Sequence, residues 1–306
     1  MKMATTTGDF EKFCPTIKEQ IAHIQAAGFK HIDLNLYEPR RYPELFYNDN
    51  WREEAKAIKE YCDSIGVDLV QSHGPNVNFI APNGVERMIE DTIRCIEICG
   101  ELGIPNTVVH PGYSLELTDD KKDEWFKQNA EHFKKLLPAA EKCGVEVLIE
   151  NSTKANMGPR YFTNSGADMV EFCDYVGHPL IKCCWDTGHA NCEGLQYEHI
   201  MTLGKKLSAV HFNDNRGGQD EHLIPYLGTM NIDDVMHGLI DSGFEGYLTF
   251  EACSSLRPFA YWLGNRRDTA LEKKLSEPTL AMQDAAEKLL YEVGKHILTT
   301  YGIFED

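Results

Sequence analysis

Histidines and carboxylates in this chain recur at one kind of place, the end of a short apolar run. "LVQSHGP" delivers His73, "TVVHPG" His110, "VLIEN" Glu150, and "CCWDTGH" Asp186 and His189. "AVHFND" delivers His211, with Asp220 and His222 just beyond in "QDEH", and "LTFEA" delivers Glu251. Carboxylate oxygens and imidazole nitrogens together are the ligand types of a divalent metal site, and anions gathered in one place repel unless a cation joins them. The same groups transfer protons. Placed beside a reacting atom, a carboxylate or an imidazole can serve as general acid or base. One histidine at a strand end is more commonly a hydrogen-bonded core residue. Repetition over six runs is what carries the reading.

Something must bring these ends together. Ahead of each run lies a stretch with helical spacing of apolar residues and a glycine stop. The first four are "TIKEQIAHIQAAGFKHIDLNL" with Gly28, "EEAKAIKEYCDSIGVDLVQSH" with Gly66, "ERMIEDTIRCIEICGELGIPNTVVH" with Gly103, and "WFKQNAEHFKKLLPAAEKCGVEVLIE" with Gly144. "ADMVEFCDYVGHPLIKCCWD", "EHIMTLGKKLSAVHF" and "IDDVMHGLIDSGFEGYLTFE" continue the series. A first strand near "KMATTTG" and a last helix near "PTLAMQDAAEKLLYEVGKHILTTYG" complete eight strands and eight helices. Alternating strands and helices imply a parallel sheet. Eight units in 306 residues predict a closed (β/α)8 TIM barrel, an α/β fold whose strand C-termini meet at one mouth. An open doubly wound sheet would more usually carry a glycine fingerprint, and neither that nor a phosphate loop occurs. The expected organisation is one domain over 1–306, with inserts near 37–51 ("YEPRRYPELFYNDNW") and 252–277. The stretch "FAYWLG" in the second insert would suit a homo-oligomer contact.

The formal net charge of −18 argues against a nucleic-acid partner, and the basic pairs Lys121-Lys122, Lys205-Lys206 and Arg266-Arg267 are dispersed. No apolar run is long enough to span a bilayer, and "MKMATTTGDF" lacks the apolar core of a signal peptide. No membrane partner and a cytoplasmic location are the expectations. The ten cysteines include no CxxC and read as reduced thiols, with Cys95, Cys99, Cys183 and Cys184 as packing residues.

"IEN", "DTGHAN", "VHFNDN…DEH…P…GT" and "TFEA" resemble the xylose-isomerase-like TIM barrels, over nearly the whole chain. That superfamily includes sugar and sugar-phosphate isomerases and epimerases, and also endonuclease IV. The resemblance implies a divalent-metal-dependent isomerase or epimerase acting on a small-molecule sugar or sugar phosphate through an enediolate. It implies one ion (Mn, Co, Zn or Mg) on Glu150, Asp186, His211 and Glu251, with Glu150 and Glu251 as the catalytic acid/base pair. His73, His110, His189, Asp220 and His222 are then second-site metal ligands or substrate groups. In endonuclease IV up to nine residues hold three zinc ions, and all nine positions are filled here. More than one zinc and a phosphodiesterase acting on DNA is therefore the alternative. A lyase acting on an oxidised sugar or glycoside and a non-catalytic sugar-binding barrel would use the same residues. His189, Asn151, Asn213 and Arg216 are the expected substrate-binding side chains, with Asn191 and Asp214 as further hydroxyl partners. Lys154, Arg160, Arg216 and Arg257 are candidates for a phosphate, and Tyr37, Phe46 and Tyr47 for a sugar face. Trp185 is expected in the core.

Overall fold

The computed structural model describes residues 1–158, 160–194, 196–252, 255–256 and 278–306. Strands β1 (Met3–Thr6), β2 (His31–Asn35), β3 (Asp68–His73), β4 (Asn106–Val108), β5 (Glu146–Glu150), β6 (Ile181–Asp186), β7 (Leu207–Phe212) and β8 (Leu248–Phe250) close into a barrel in sequence order. Every neighbouring pair is parallel, and β8 pairs with β1 to close the ring. The barrel expected from the alternation is the observed fold.

Local chemistry sets the helices that wind between the strands. Helix Ile17–Ala27 starts at a capping box, in which Thr16 and Glu19 each satisfy the other's backbone N–H. Helix Trp51–Ile65 stops at Gly66, whose φ of 70° is the left-handed conformation that side chains resist. Gly294, inside helix Leu280–Thr300, is needed for space. A Cβ there would lie 2.6 Å from the Phe250 ring and from Met3 Sδ, so glycine allows this helix to close on β1 and β8.

Both faces of each strand are buried, so alternation sorts residues into two cores. Val147, Ile149, Trp185, Val210, Phe212 and Phe250 point outward and pack under the helices. Trp185 is fully buried, as expected, and donates from Nε1 to Gln196 at 3.2 Å. Burying each such large side chain contributes roughly 1.5–3 kcal/mol. Val108, Leu148, Cys184 and Ala209 point inward and plug the barrel beneath its mouth. Two residues further along β5, β6 and β7, the same inward phase brings Glu150, Asp186 and His211 to the mouth.

The insert at 37–51 forms a turn, Pro39–Arg41, and a short helix, Pro43–Phe46. Phe46 is buried in the outer core, and Tyr47 points its hydroxyl at Asp91. Neither lines the mouth, whereas Tyr37 does. Most of the insert near 252–277, with Arg257 and "FAYWLG", lies outside the described residues. Among the described residues no helix is long and apolar enough to cross a membrane.

Candidate active site

A cavity of about 530 Å³ opens at the C-terminal ends of the strands. Glu150 ends β5, is buried, and forms the centre of the charged groups. Its Oε1 accepts from His211 Nδ1 at 2.5 Å, and its Oε2 lies 3.0 Å from His110 Nε2 and 3.9 Å from His73 Nε2. His211 Nδ1 is also 3.4 Å from Glu251 Oε2. Glu251 follows the last residue of β8, and His110 lies two residues beyond β4. Both positions are slightly past the strand ends at which the sequence places them.

Asp186 ends β6 and caps the short helix Thr187–Glu193, its Oδ1 accepting the His189 N–H at 2.5 Å. Three further bonds fix it. Asn213 Nδ2 donates to Asp186 Oδ2 at 2.7 Å. Asn151 takes the Asp186 N–H at 2.7 Å and donates to its carbonyl at 2.8 Å. One ligand atom each from Glu150, Asp186, His211 and Glu251 lie within 4.8 Å of one another.

The electrostatics of this group call for a cation. Burial, with the charges of Glu150 and Asp220 adding, pushes Asp186 up to about 6 against the pull of His189 and His222. Burial also opposes ionisation of Glu150, but His211 and His110 outweigh it and hold this carboxyl well below its ordinary range. Among the described residues that line the cavity, none is lysine or arginine. Three carboxylates and an imidazole converging without such a counter-charge fit a divalent ion in donor type and in number.

A second group adjoins the first. Asp220 Oδ2 faces His189 Nε2 at 3.1 Å and His222 Nε2 at 3.0 Å, and accepts from Asn156 Nδ2 at 2.9 Å. Each ring donates its Nδ1–H to a backbone carbonyl, His189 to Asn151 and His222 to Glu251, both at 2.9 Å. Burial opposes the charged form of His189, yet Asp186 and Asp220 raise it to about 10. His222 has a φ of 47°, a strained conformation that holds its ring toward Asp220. His73, His110 and Glu150 form a third group, in which His73 Nδ1 donates to the Gly74 carbonyl at 2.9 Å.

All nine residues singled out as ligands or catalytic groups thus meet at one mouth. The expected substrate-binding residues divide. His189 lines the cavity, but Asn151 and Asn213 do not, because their amides are committed to Asp186. Arg216 pairs with Glu221 beyond the cavity. Asp214 braces the turn after β7 by accepting the Gly228 and Met230 N–H groups, and Asn191 donates to Asn215. Lys154 pairs with Glu193 at 2.7 Å, and Arg160 bonds Asp119 at 3.0 Å.

Other residues of the site went unnoticed in the sequence. Glu11, Asn35, Asn76 and Tyr113 line the far wall. Burial raises Glu11, and Arg41 and the Tyr42 hydroxyl counter it. Asp33 and Gln71 lie within the barrel beneath His211, and burial pushes Asp33 up to about 6. The alternation in "HIDLNL" held the signal, because a polar face on a strand buried on both sides must point into the barrel.

Comparison with known proteins agrees with this geometry. Residues 21–277 match the family model of the xylose isomerase-like TIM barrel. The chain is 31% identical over 221 residues to fructoselysine 3-epimerase of Escherichia coli O157:H7, a match covering 68% of this chain and 77% of that protein. Its fold is similar to that of the IOLI protein with a bound zinc atom, with a TM-score of 0.74 at 18% identity over 98% of this chain and 99% of that one. It is also similar to D-psicose 3-epimerase with D-tagatose from Clostridium cellulolyticum H10, with a TM-score of 0.72 at 19% identity over 97% and 99%. The chain belongs to the xylose isomerase-like TIM barrel family.

Proposed function

We propose that this protein is a divalent-metal-dependent epimerase or isomerase of a sugar. The observation that carries the reading is the convergence of Glu150, Asp186, His211 and Glu251 on one point beside a cavity of about 530 Å³. Those four residues would hold the ion, which when bound polarises the carbonyl and neighbouring hydroxyl oxygens of a sugar. The chain's own groups handle the protons. Glu150, kept ionised by His211 and His110, faces the cavity as a carboxylate and would take the proton from one side. Glu251, from a different strand and only partly buried, can exchange one with the substrate carbon from another direction. Asp186, gripped by Asn151 and Asn213, is held in a fixed position. His189 lines the cavity with Nδ1–H held by the Asn151 carbonyl, which fixes the ring edge that would face a substrate oxygen.

The cavity bears on the substrate. Its described lining carries Glu11, Glu150, Asp220 and Glu251 and no lysine or arginine, which favours a neutral polyhydroxy compound over a phosphate ester. The epimerases among its relatives, fructoselysine 3-epimerase and D-psicose 3-epimerase, support inversion at a carbon next to a ketose carbonyl. The test is deuterium uptake from D2O, followed by NMR, over free ketoses and ketose phosphates with Mn²⁺ or Co²⁺ present. Free ketoses should exchange at a carbon adjacent to the carbonyl, and Glu251→Gln should abolish exchange while the protein stays folded. If no sugar exchanges a proton, the reading fails.

One observation favours a second reading, a zinc phosphodiesterase with more than one ion. His73, His189 and His222 each tie Nδ1–H to a backbone carbonyl and aim Nε2 at a carboxylate, an arrangement suited to metal-binding histidine. The charge of −18 opposes DNA binding. Metal content separates the two, near one ion per chain for the sugar enzyme and near three for the phosphodiesterase. Chelator-sensitive cleavage of abasic DNA would overturn the first.

A further inference from the structure

His211 is held differently from His73, His189 and His222. Its ring bonds to side chains. Nδ1 faces Glu150 and Glu251, and Nε2 points down into the barrel, 2.7 Å from Gln71 Nε2 and 4.0 Å from Asp33 Oδ2. Asp33 and Gln71 are register partners across β2 and β3, and the Thr249 hydroxyl donates to Gln71 Oε1 at 3.3 Å. With its oxygen so engaged, Gln71 donates to His211 Nε2. The ring proton then sits on Nδ1 and is given to Glu150.

A cation at the mouth needs the opposite tautomer. Nδ1 must present its lone pair, so the proton moves to Nε2. Nε2–H would then meet the Gln71 amide donor to donor. A nearby acceptor is the Asp33 carboxylate, fully buried, with neither oxygen hydrogen-bonded within 3.5 Å. A buried carboxylate without a partner costs stability. Accepting Nε2–H gives this one a partner when the ion is bound.

We propose that Asp33 is the positioning residue of His211, accepting its Nε2–H and so presenting Nδ1 to the divalent ion. This rests on the metal reading of the site. The experiment measures Zn²⁺ affinity by competition with a chromophoric chelator, for the wild-type chain, Asp33→Asn and Asp33→Leu. It is accompanied by urea unfolding of the chelated proteins and by NMR of the histidine ring protons in the zinc-loaded forms. The variants should lose about 10–100-fold in affinity, while the chelated proteins unfold no more easily than wild type. The far-downfield Nε2–H signal of His211 should move upfield in both. Adding Gln71→Glu to Asp33→Asn supplies a carboxylate from the neighbouring strand and should recover affinity.

Wild-type affinity in both variants, or an unmoved ring-proton signal, overturns the proposal and leaves the metal reading intact. Loss of the fold in both variants overturns it by making Asp33 structural. A wild-type chain that binds no Zn²⁺ refutes the metal reading, and this proposal with it.

Discussion

Gly188 in "DTGH" tests how tightly the fold and the site are joined. A Cβ at this position would lie 1.8 Å from Asn213 Oδ1 and 2.8 Å from its Cγ. Ordinary contact begins near 3.4 Å, so Gly188→Ala obliges the Asn213 amide to withdraw by about 1.6 Å. Asn213 is fully buried, and its backbone is fastened to Thr187 by two hydrogen bonds, so it has no open space to enter. The movement breaks the 2.7 Å bond from Asn213 Nδ2 to Asp186 Oδ2. Losing a hydrogen bond to a charged group costs about 1.5–3 kcal/mol, and overpacking adds about 1–3 kcal/mol. The better helix propensity of alanine returns at most about 1 kcal/mol. The net expectation is a loss of about 1.5–6 kcal/mol in urea unfolding of the chelated protein. A fall of about 10–100-fold in Mn²⁺ affinity should accompany it, because Asp186 is no longer held. The double variant Gly188→Ala/Asn213→Ala is the control, since with the obstacle gone the alanine at 188 should cost little more than Asn213→Ala alone. A Gly188→Ala protein within about 0.5 kcal/mol of wild type and with unchanged Mn²⁺ affinity would refute the reasoning.

Two more expectations concern pH and metal. Glu287, fully buried in helix Leu280–Thr300, is pushed from 4.5 to about 7 by burial, with Asp9 and Thr5 lowering it only in part. The folded state therefore keeps this proton longer than the unfolded chain does, and stability falls as pH rises from about 4.5 through about 7, by at most about 3.4 kcal/mol. Glu287→Gln should remove that fall, so its stability relative to wild type grows between pH 5 and pH 8; a difference that stays constant across the range counts against it. For metal removal, Mn²⁺ added to chelator-stripped protein at 100 times its Kd should raise the unfolding free energy by about 2.7 kcal/mol. A melting temperature indifferent to Mn²⁺ would show that the four converging residues do not bind it in the folded chain.

The barrel was legible because helical and strand periodicities alternate from end to end, and each strand end bears residues whose types are chemical. Glu150 and Asp186 could be picked out because each is the last residue of its strand, where the inward phase meets the mouth. Asp33 and Gln71 were missed because they lie one layer deeper, where a polar residue looks like an ordinary member of an alternating strand. Asn151 and Asn213 were identified as neighbours of the site, but their partner was not legible. Which atom an amide bonds depends on how two loops approach, and that is decided by packing distant in sequence. The same holds for Arg216, whose nearby Glu221 takes the charge that a phosphate would have used. Cys184 was read as a packing residue and does plug the barrel, yet its sulfur also lies beside Glu150 and His211.

Residue 251 gives its side chain to the group around Glu150 and its backbone carbonyl to the ring of His222. Residue 151 forms a similar junction, its carbonyl holding His189 while its amide holds Asp186. The groups are therefore welded through main chain at two points. A change at His222 is transmitted to the placement of Glu251, and one at His189 to that of Asp186. Effects of paired substitutions across the mouth will fail to add, and the assembly will answer to a ligand as a single body.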